Sequence, residues 1–120
     1  MFSQNINKCK CEIDSVLKIN ICLTVDSFPD FRMDLLLKLS KEFYFSQSDM
    51  DKYGIITRFN LQLVIGEDGL IKNVRLVNPE IKTIEDRLKA ILLNFKLKPA
   101  KCNNKNVAYK FMFPYLVDYQ

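Results

Sequence analysis

The fold is decided by residues 59–77, which read FNLQLVIGEDGLIKNVRLV. On both sides of the turn Gly66-Glu67-Asp68-Gly69 the residues follow a period of two. A strand points successive side chains to opposite faces, so this period is typical of β-structure. Two such runs joined by a glycine-flanked turn predict a β-hairpin.

Two stretches with helical periodicity flank the hairpin. The upstream helix is predicted to begin at Phe31, where Asp30 can cap its first N–H groups, and to continue for about three turns. The downstream helix is predicted to have Thr83 as its N-cap and an apolar stripe that ends at Phe95. Pro99 prevents its continuation, because proline lacks an N–H group and clashes with the preceding turn.

A final strand follows a polar turn at residues 102–106. Its apolar residues alternate from Val107 to Phe113, and Pro114 predicts that the strand ends there or lies at a sheet edge. Residues 45–54 read as a polar connection, and residues 16–25 as a candidate strand. The predicted fold class is α+β, a two-layer sandwich in which a small antiparallel sheet, made of the hairpin and the C-terminal strand, packs against two helices.

Length and composition are those of one globular domain. The chain has 120 residues, 48% of them hydrophobic, which is enough to bury a core. We expect an N-terminal arm, with one candidate strand, over residues 1–26 and the domain over residues 27–120. The net charge of +4 is concentrated between Lys72 and Lys110. A basic face can meet an anionic peptide, a lipid surface or nucleic acid, although a solvated face is the simpler interpretation.

The sequence offers no recognisable catalytic, metal or cofactor site. It contains no histidine, no Gly-x-Ser-x-Gly and no phosphate-binding glycine loop. Glu67 and Asp68 are adjacent acids on a turn, which is typical of an exposed loop rather than of an acid/base pair. We therefore expect neither an enzyme nor a cofactor. Nucleic-acid binding is also not expected, because the aromatic residues lack the glycine-aromatic signature of an RNA-binding sheet.

The four cysteines leave two possibilities open. Cys9-Lys10-Cys11 is too closely spaced for a usual zinc knuckle. In an oxidising compartment Cys9 and Cys11 could pair with Cys22 or Cys102, and otherwise all four remain thiols. Cys22 lies in a β-branched stretch and is expected to be a small core residue.

No apolar run approaches the roughly 20 residues needed to span a bilayer, and the N-terminus lacks the pattern of a signal peptide. We therefore expect a soluble chain, which could be a mature or trimmed form of a longer one.

Five short pieces, in this order and at this spacing, resemble the C-terminal domain of the TonB family, the energy transducers of outer-membrane transport. The likeness runs from about Phe28 to Phe113 and is closest to forms common in Bacteroides-like bacteria. The family's double glycine is absent, and Phe95 stands where the family has tryptophan. The pieces are Phe28-Pro29-Asp30-Phe31, Gly54-Ile55-Ile56-Thr57-Arg58-Phe59 preceded by Phe45-Ser46, Asp68-Gly69 with Ile71-Lys72-Asn73-Val74, Phe95-Lys96-Leu97-Lys98-Pro99-Ala100, and Lys105-Asn106-Val107.

The resemblance implies a periplasmic peptide-binding module. A short segment of a TonB-dependent outer-membrane transporter, the TonB box, would add as a strand to the sheet. Lys98 and Lys101, with Lys110, would steer an acidic partner. The family's membrane anchor, which engages inner-membrane motor proteins, is not in this sequence. The alternative is a free-standing interaction or dimerisation domain of the same fold. The expected peptide-binding edge consists of Val107, Ala108, Tyr109, Lys110, Phe111, Met112 and Phe113.

Overall fold

A computed structural model describes residues 9–27 and 30–117. Three α-helices and six β-strands make up this part of the chain, and none of these helices is long and apolar enough to cross a membrane. The elements are β1 (Cys11–Ile13), β2 (Asn20–Cys22), α1 (Arg32–Glu42), α2 (Gln47–Tyr53), β3 (Arg58–Ile65), β4 (Ile71–Asn78), α3 (Lys82–Leu92), β5 (Ala100–Cys102) and β6 (Lys105–Leu116).

The strands form one mixed sheet in the order β1-β2-β6-β3-β4, and β5 pairs with the beginning of β6. Only β2 and β6 are parallel to each other. The α+β class is thereby confirmed. The prediction of a small antiparallel sheet was too limited, because the N-terminal segment adds two strands and the segment after α3 adds β5.

The main core lies between one face of the sheet and helices α1 and α3. Phe59 of β3 is fully buried there, and the rings of Phe43 and Phe45 meet it edge-on with centroids 5.7 Å away. A second, smaller cluster contains Ile21, Val64 and Ala108, and Leu17 and Ile19 pack against it. β2 therefore belongs to the folded unit and contributes apolar surface to it.

The central hairpin is the best-predicted element. Gly66 N–H donates to Leu70 C=O at 2.8 Å, and Gly69 N–H donates to Gly66 C=O at 2.9 Å, which closes the turn. The register shifts between Val64 and Ile65, so Ile65 pairs with Ile71. Because of this irregularity, the buried residues of β4 do not follow one strict alternation. They are Ile71, Val74 and Leu76.

The helix ends differ from the prediction in detail. Asp30 does accept the N–H of Arg32 at 3.1 Å, but the N-cap position of α1 is Phe31. Thr83 is not the N-cap of α3: it lies inside the first turn, where its hydroxyl hydrogen-bonds the hydroxyl of Tyr53. Phe95 does not extend the helical stripe, because α3 ends before it and Phe95 C=O accepts the N–H of Ile71.

Helix α2 replaces the polar connection that was predicted for residues 45–54. Ser46 and Asp49 form a capping box at its start. The Ser46 hydroxyl accepts from Asp49 N–H at 3.1 Å, and the Asp49 carboxylate accepts from Ser46 N–H at 2.8 Å. Arg87 of α3 donates to the other Asp49 oxygen at 3.0 Å and lies over the Phe43 ring. Asp49 therefore connects α2 with α3.

Replacing Asp49 with asparagine is expected to lower stability by about 1–2 kcal/mol at pH 7, because charge-assisted hydrogen bonds are lost. Burial raises the pKa of Asp49, but hydrogen bonds from Ser46 and Arg87 outweigh it and leave that pKa below its ordinary value. The ionised group thus contributes stability that is present above the unfolded pKa and lost as pH falls through the folded one. Urea unfolding at pH 7 and at pH 3 should show the difference between the two proteins shrinking in acid.

Asp51→Asn, on the exposed side of the same helix, is the matched control. An Asp49→Asn deficit that stays the same size at both pH values would contradict this role of the carboxylate.

All four cysteines are paired. One disulfide joins Cys9 to Cys102, and the other joins Cys11 to Cys22 across the β1–β2 hairpin. Cys22 is buried, as expected of a core residue, and is also cross-linked. The arm predicted for residues 1–26 is therefore attached, over its described part from Cys9 onward, to the sheet by both pairing and covalent bonds.

Candidate functional site

The C-terminal strand β6 lies inside the sheet, with β3 along one side. The prediction that Val107–Phe113 forms a free edge is therefore wrong for its first three residues. Val107 pairs with Ala100 of β5, and Ala108 and Tyr109 pair with Ile21 and Cys22 of β2. β5 is joined to β6 by a two-residue turn, whereas β2 lies more than 80 positions earlier in the sequence, and the pattern of β6 itself does not reveal that neighbour.

Beyond Tyr109 the margin of β6 that faces away from β3 is open. Strand β3 pairs with β6 in unbroken register from Tyr109 to Leu116. In the described part of the chain, β2 is the only strand on the other side, and its pairing stops at Tyr109. The four predicted edge residues from Lys110 to Phe113 thus border an open margin, which continues to Leu116.

The direction of each main-chain group along β6 follows from one hydrogen bond. Val117 N–H donates to Thr57 C=O at 2.9 Å, on the β3 side. Because N–H and C=O groups alternate in direction along a strand, odd-numbered residues of β6 bond β3 and even-numbered residues face the open margin. Pro114 is even-numbered, so its missing N–H removes no bond to β3. This explains why β6 continues through Pro114 to Leu116 instead of ending there.

Two adjoining grooves follow this margin. One, of about 590 Å³, lies between Phe31 at the start of α1 and residues 109–112 of β6. The other, of about 390 Å³, is lined by Met33 and Leu36 of α1 and by residues 113, 114 and 116 of β6. Asp30 and Arg32 line both grooves. The open main-chain groups therefore border a continuous depression beside α1.

Apolar side chains around this depression are exposed to water. Met33 and Leu116 are each 61% exposed, Met112 is 52% exposed and Leu36 is 40% exposed. Isolated exposed apolar residues are ordinary, but a contiguous group beside unpaired main-chain groups is typical of an interaction site. The depression can thus offer hydrogen bonds and apolar contacts to the same ligand.

The opposite end of the sheet is less open. At the start of β4, the backbone of residues 94–97 covers the outer side: Asn94 N–H donates to Ile71 C=O and Leu97 N–H to Gly69 C=O. Further along, the carboxylate of Glu85 accepts the N–H of Leu76 at 2.9 Å. Strand β1, at the other end, has only three residues. Short strands and side-chain caps are common protections of sheet edges.

The charges near the site are few. Lys110 lies in the first groove, together with the exposed ion pair between Arg32 and Asp30, whose atoms are 3.1 Å apart. Lys98 and Lys101 are exposed but line neither groove. The three lysines predicted to steer a partner are therefore not all at one place, and Lys110 is the one at the open margin.

One group of potential metal ligands exists among the described residues, formed by Cys9, Asp26 and Cys102. Both sulfurs are bound in a disulfide, whereas a metal requires thiolates. The Asp26 carboxylate accepts the N–H of Asn103 at 2.8 Å. This group is therefore accounted for by structural bonds.

No protein-family model, curated protein or solved structure matches this chain.

Proposed function

We propose that this protein binds an extended peptide of another protein by strand addition to the open margin of β6. The observation that carries the proposal is the stretch from Lys110 to Leu116, paired to β3 on one side and bordered by an apolar groove on the other. An incoming strand would satisfy the free main-chain groups while its side chains contact Met33, Leu36 and Leu116.

The sequence resemblance suggests the partner class. In the TonB family the ligand is the TonB box of an outer-membrane transporter, and we propose the same class of ligand here. Strands β3, β4 and β6 with α3 provide the expected hairpin, helix and final strand in the expected order. The two disulfides are compatible with an oxidising compartment, which supports a location in the periplasm or cell envelope.

Pro114 limits how the peptide can pair. Among the even-numbered residues that face the margin, Met112 and Leu116 each offer a donor and an acceptor, whereas Pro114 offers only its C=O group. The ligand is therefore expected to lack one hydrogen bond near Pro114 and to depend most strongly on Met112.

Met112→Pro is expected to weaken peptide binding strongly without unfolding the domain. Its N–H faces away from β3, so proline removes a donor from the margin and none from the β3 ladder, as Pro114 already does. Titrating a synthetic TonB-box peptide into ¹⁵N-labelled protein should shift the amide signals of residues 110–116. We expect the variant to bind at least roughly tenfold more weakly.

Met112→Ala is the matched control, because it removes the side chain and keeps the N–H group. Equal weakening by both substitutions would assign the effect to the side chain and contradict strand addition. Signal shifts confined to residues outside β6 and α1 would contradict the site. Sedimentation across protein concentration separates peptide binding from self-association through the same margin.

A further inference from the structure

The N-terminal hairpin sets where the open margin begins. Only two register pairs, Ile21 with Ala108 and Cys22 with Tyr109, join β2 to β6. Strands β1 and β2 have three residues each. An isolated two-stranded hairpin of this length is not stable in water. Its position on β6 therefore depends on the bonds that attach it to the rest of the domain.

One disulfide and several non-covalent contacts provide that attachment. The Cys9–Cys102 disulfide joins a residue two positions before β1 to the end of β5, across 93 positions of sequence. The Cys11–Cys22 disulfide lies within the hairpin and does not attach it to anything else. The non-covalent attachments are the small cluster of Ile21, Val64 and Ala108 on the sheet face. Just after β2, Ser27 and Lys101 also exchange two backbone hydrogen bonds, and Asn103 N–H donates to the Asp26 carboxylate. Apart from the polypeptide chain that continues from β2 to α1, the Cys9–Cys102 bond is thus the covalent link from the hairpin to the domain.

We propose that the Cys9–Cys102 disulfide is a redox latch on the peptide-binding margin. Its reduction releases β2 from β6 and extends the open margin from Lys110–Leu116 back to Ala108. This inference rests on the proposed function, since it concerns regulation of the same site. Release also uncovers Ala108 and Val64, which are only 5% and 2% exposed in the oxidised protein.

The reaction requires a dithiol reductant. One thiolate of the reductant attacks a cysteine sulfur, forms a mixed disulfide and expels the other cysteine as a thiolate, which takes up a proton. The second thiol then displaces the bound cysteine, so the protein gains two electrons and two protons and the reductant becomes a disulfide.

Cys11 is exposed, whereas Cys9 and Cys102 are 5% and 9% exposed, so the hairpin's own disulfide is expected to open first and the latch more slowly.

Hydrogen exchange on the whole protein tests the release. In the double variant Cys9→Ser/Cys102→Ser, and in wild type treated with dithiothreitol, amides of residues 20–22 and of Ala108 are expected to lose protection. Amides of β3 and β4 are expected to keep theirs. The matched variant Cys11→Ser/Cys22→Ser, in which the latch is intact, should retain protection at Ala108. Continued protection of residues 20–22 after loss of the latch would overturn the proposal, as would loss of protection throughout β3 and β4.

A second experiment tests whether a peptide strand can bind the part of β6 that β2 has left. The probe is a synthetic peptide with the sequence of residues 17–25 carrying Cys22→Ser, which copies the strand that β6 already accepts. Binding to the latch-free variant but not to the oxidised protein supports the latch. Equal binding to both forms, or to neither, overturns it. Neither experiment uses a transporter peptide, so a failed TonB-box titration with normal release would count against the proposed function alone.

Discussion

Replacing Gly69 with alanine is expected to destabilise the protein by about 4 kcal/mol or more, enough to prevent folding in many small domains. The backbone φ at Gly69 is +87°, a conformation that residues with a side chain rarely adopt. A Cβ built there would also lie 2.1 Å from the carbonyl oxygen of Leu97. That carbonyl belongs to a segment held in place by the Leu97 N–H bond to Gly69 C=O at 2.8 Å. Equilibrium urea unfolding measures the effect.

Gly54 supplies the matched control for Gly69. Its φ is +83°, but a Cβ there would meet no atom within 4 Å. Gly54→Ala should therefore cause only the backbone strain, about 1–3 kcal/mol. Equal losses at the two positions would show that the contact with Leu97 is unimportant and would contradict the close approach of the two segments.

Phe59→Ala is expected to cost about 3–5 kcal/mol, the range for removing a buried aromatic side chain. Phe59 is fully buried where β3 meets the end of α1, and its ring touches those of Phe43 and Phe45. The change leaves a cavity in the middle of the aromatic cluster and removes two edge-on ring contacts. Thermal and urea unfolding should both report the loss.

Tyr44 lies between the two partner residues in sequence but is 75% exposed. Tyr44→Ala is therefore expected to change stability by no more than about 0.5 kcal/mol. A large loss at Tyr44, or a small one at Phe59, would contradict the described position of the core.

The sequence predicted elements whose signals are local. The hairpin of β3 and β4 has alternation and a glycine-flanked turn within 20 residues or so, and both are required by strand geometry. Helix α2 was missed because it is seven residues long and buries no residue fully. The signal that could have revealed it is the Ser46-to-Asp49 spacing, which is typical of a capping box.

Features that depend on distant partners could not be predicted in the same way. Alternation identified β6 as a strand but contains no information about which strands lie beside it. The neighbours at Ala108 and Tyr109 come from β2, more than 80 positions earlier. Four cysteines allow three fully paired connectivities, and spacing alone does not choose among them. The predicted edge is therefore open only where the disulfide-bonded hairpin does not reach.

The most direct test of the open margin is residue-by-residue amide exchange of the free, oxidised protein. We predict slow exchange at Phe111 and Phe113, whose N–H groups face β3, and fast exchange at Met112 and Leu116, whose N–H groups face the groove. Protection of Met112 and Leu116 equal to that of Phe113 would mean that the margin is already filled, and would contradict strand addition at β6.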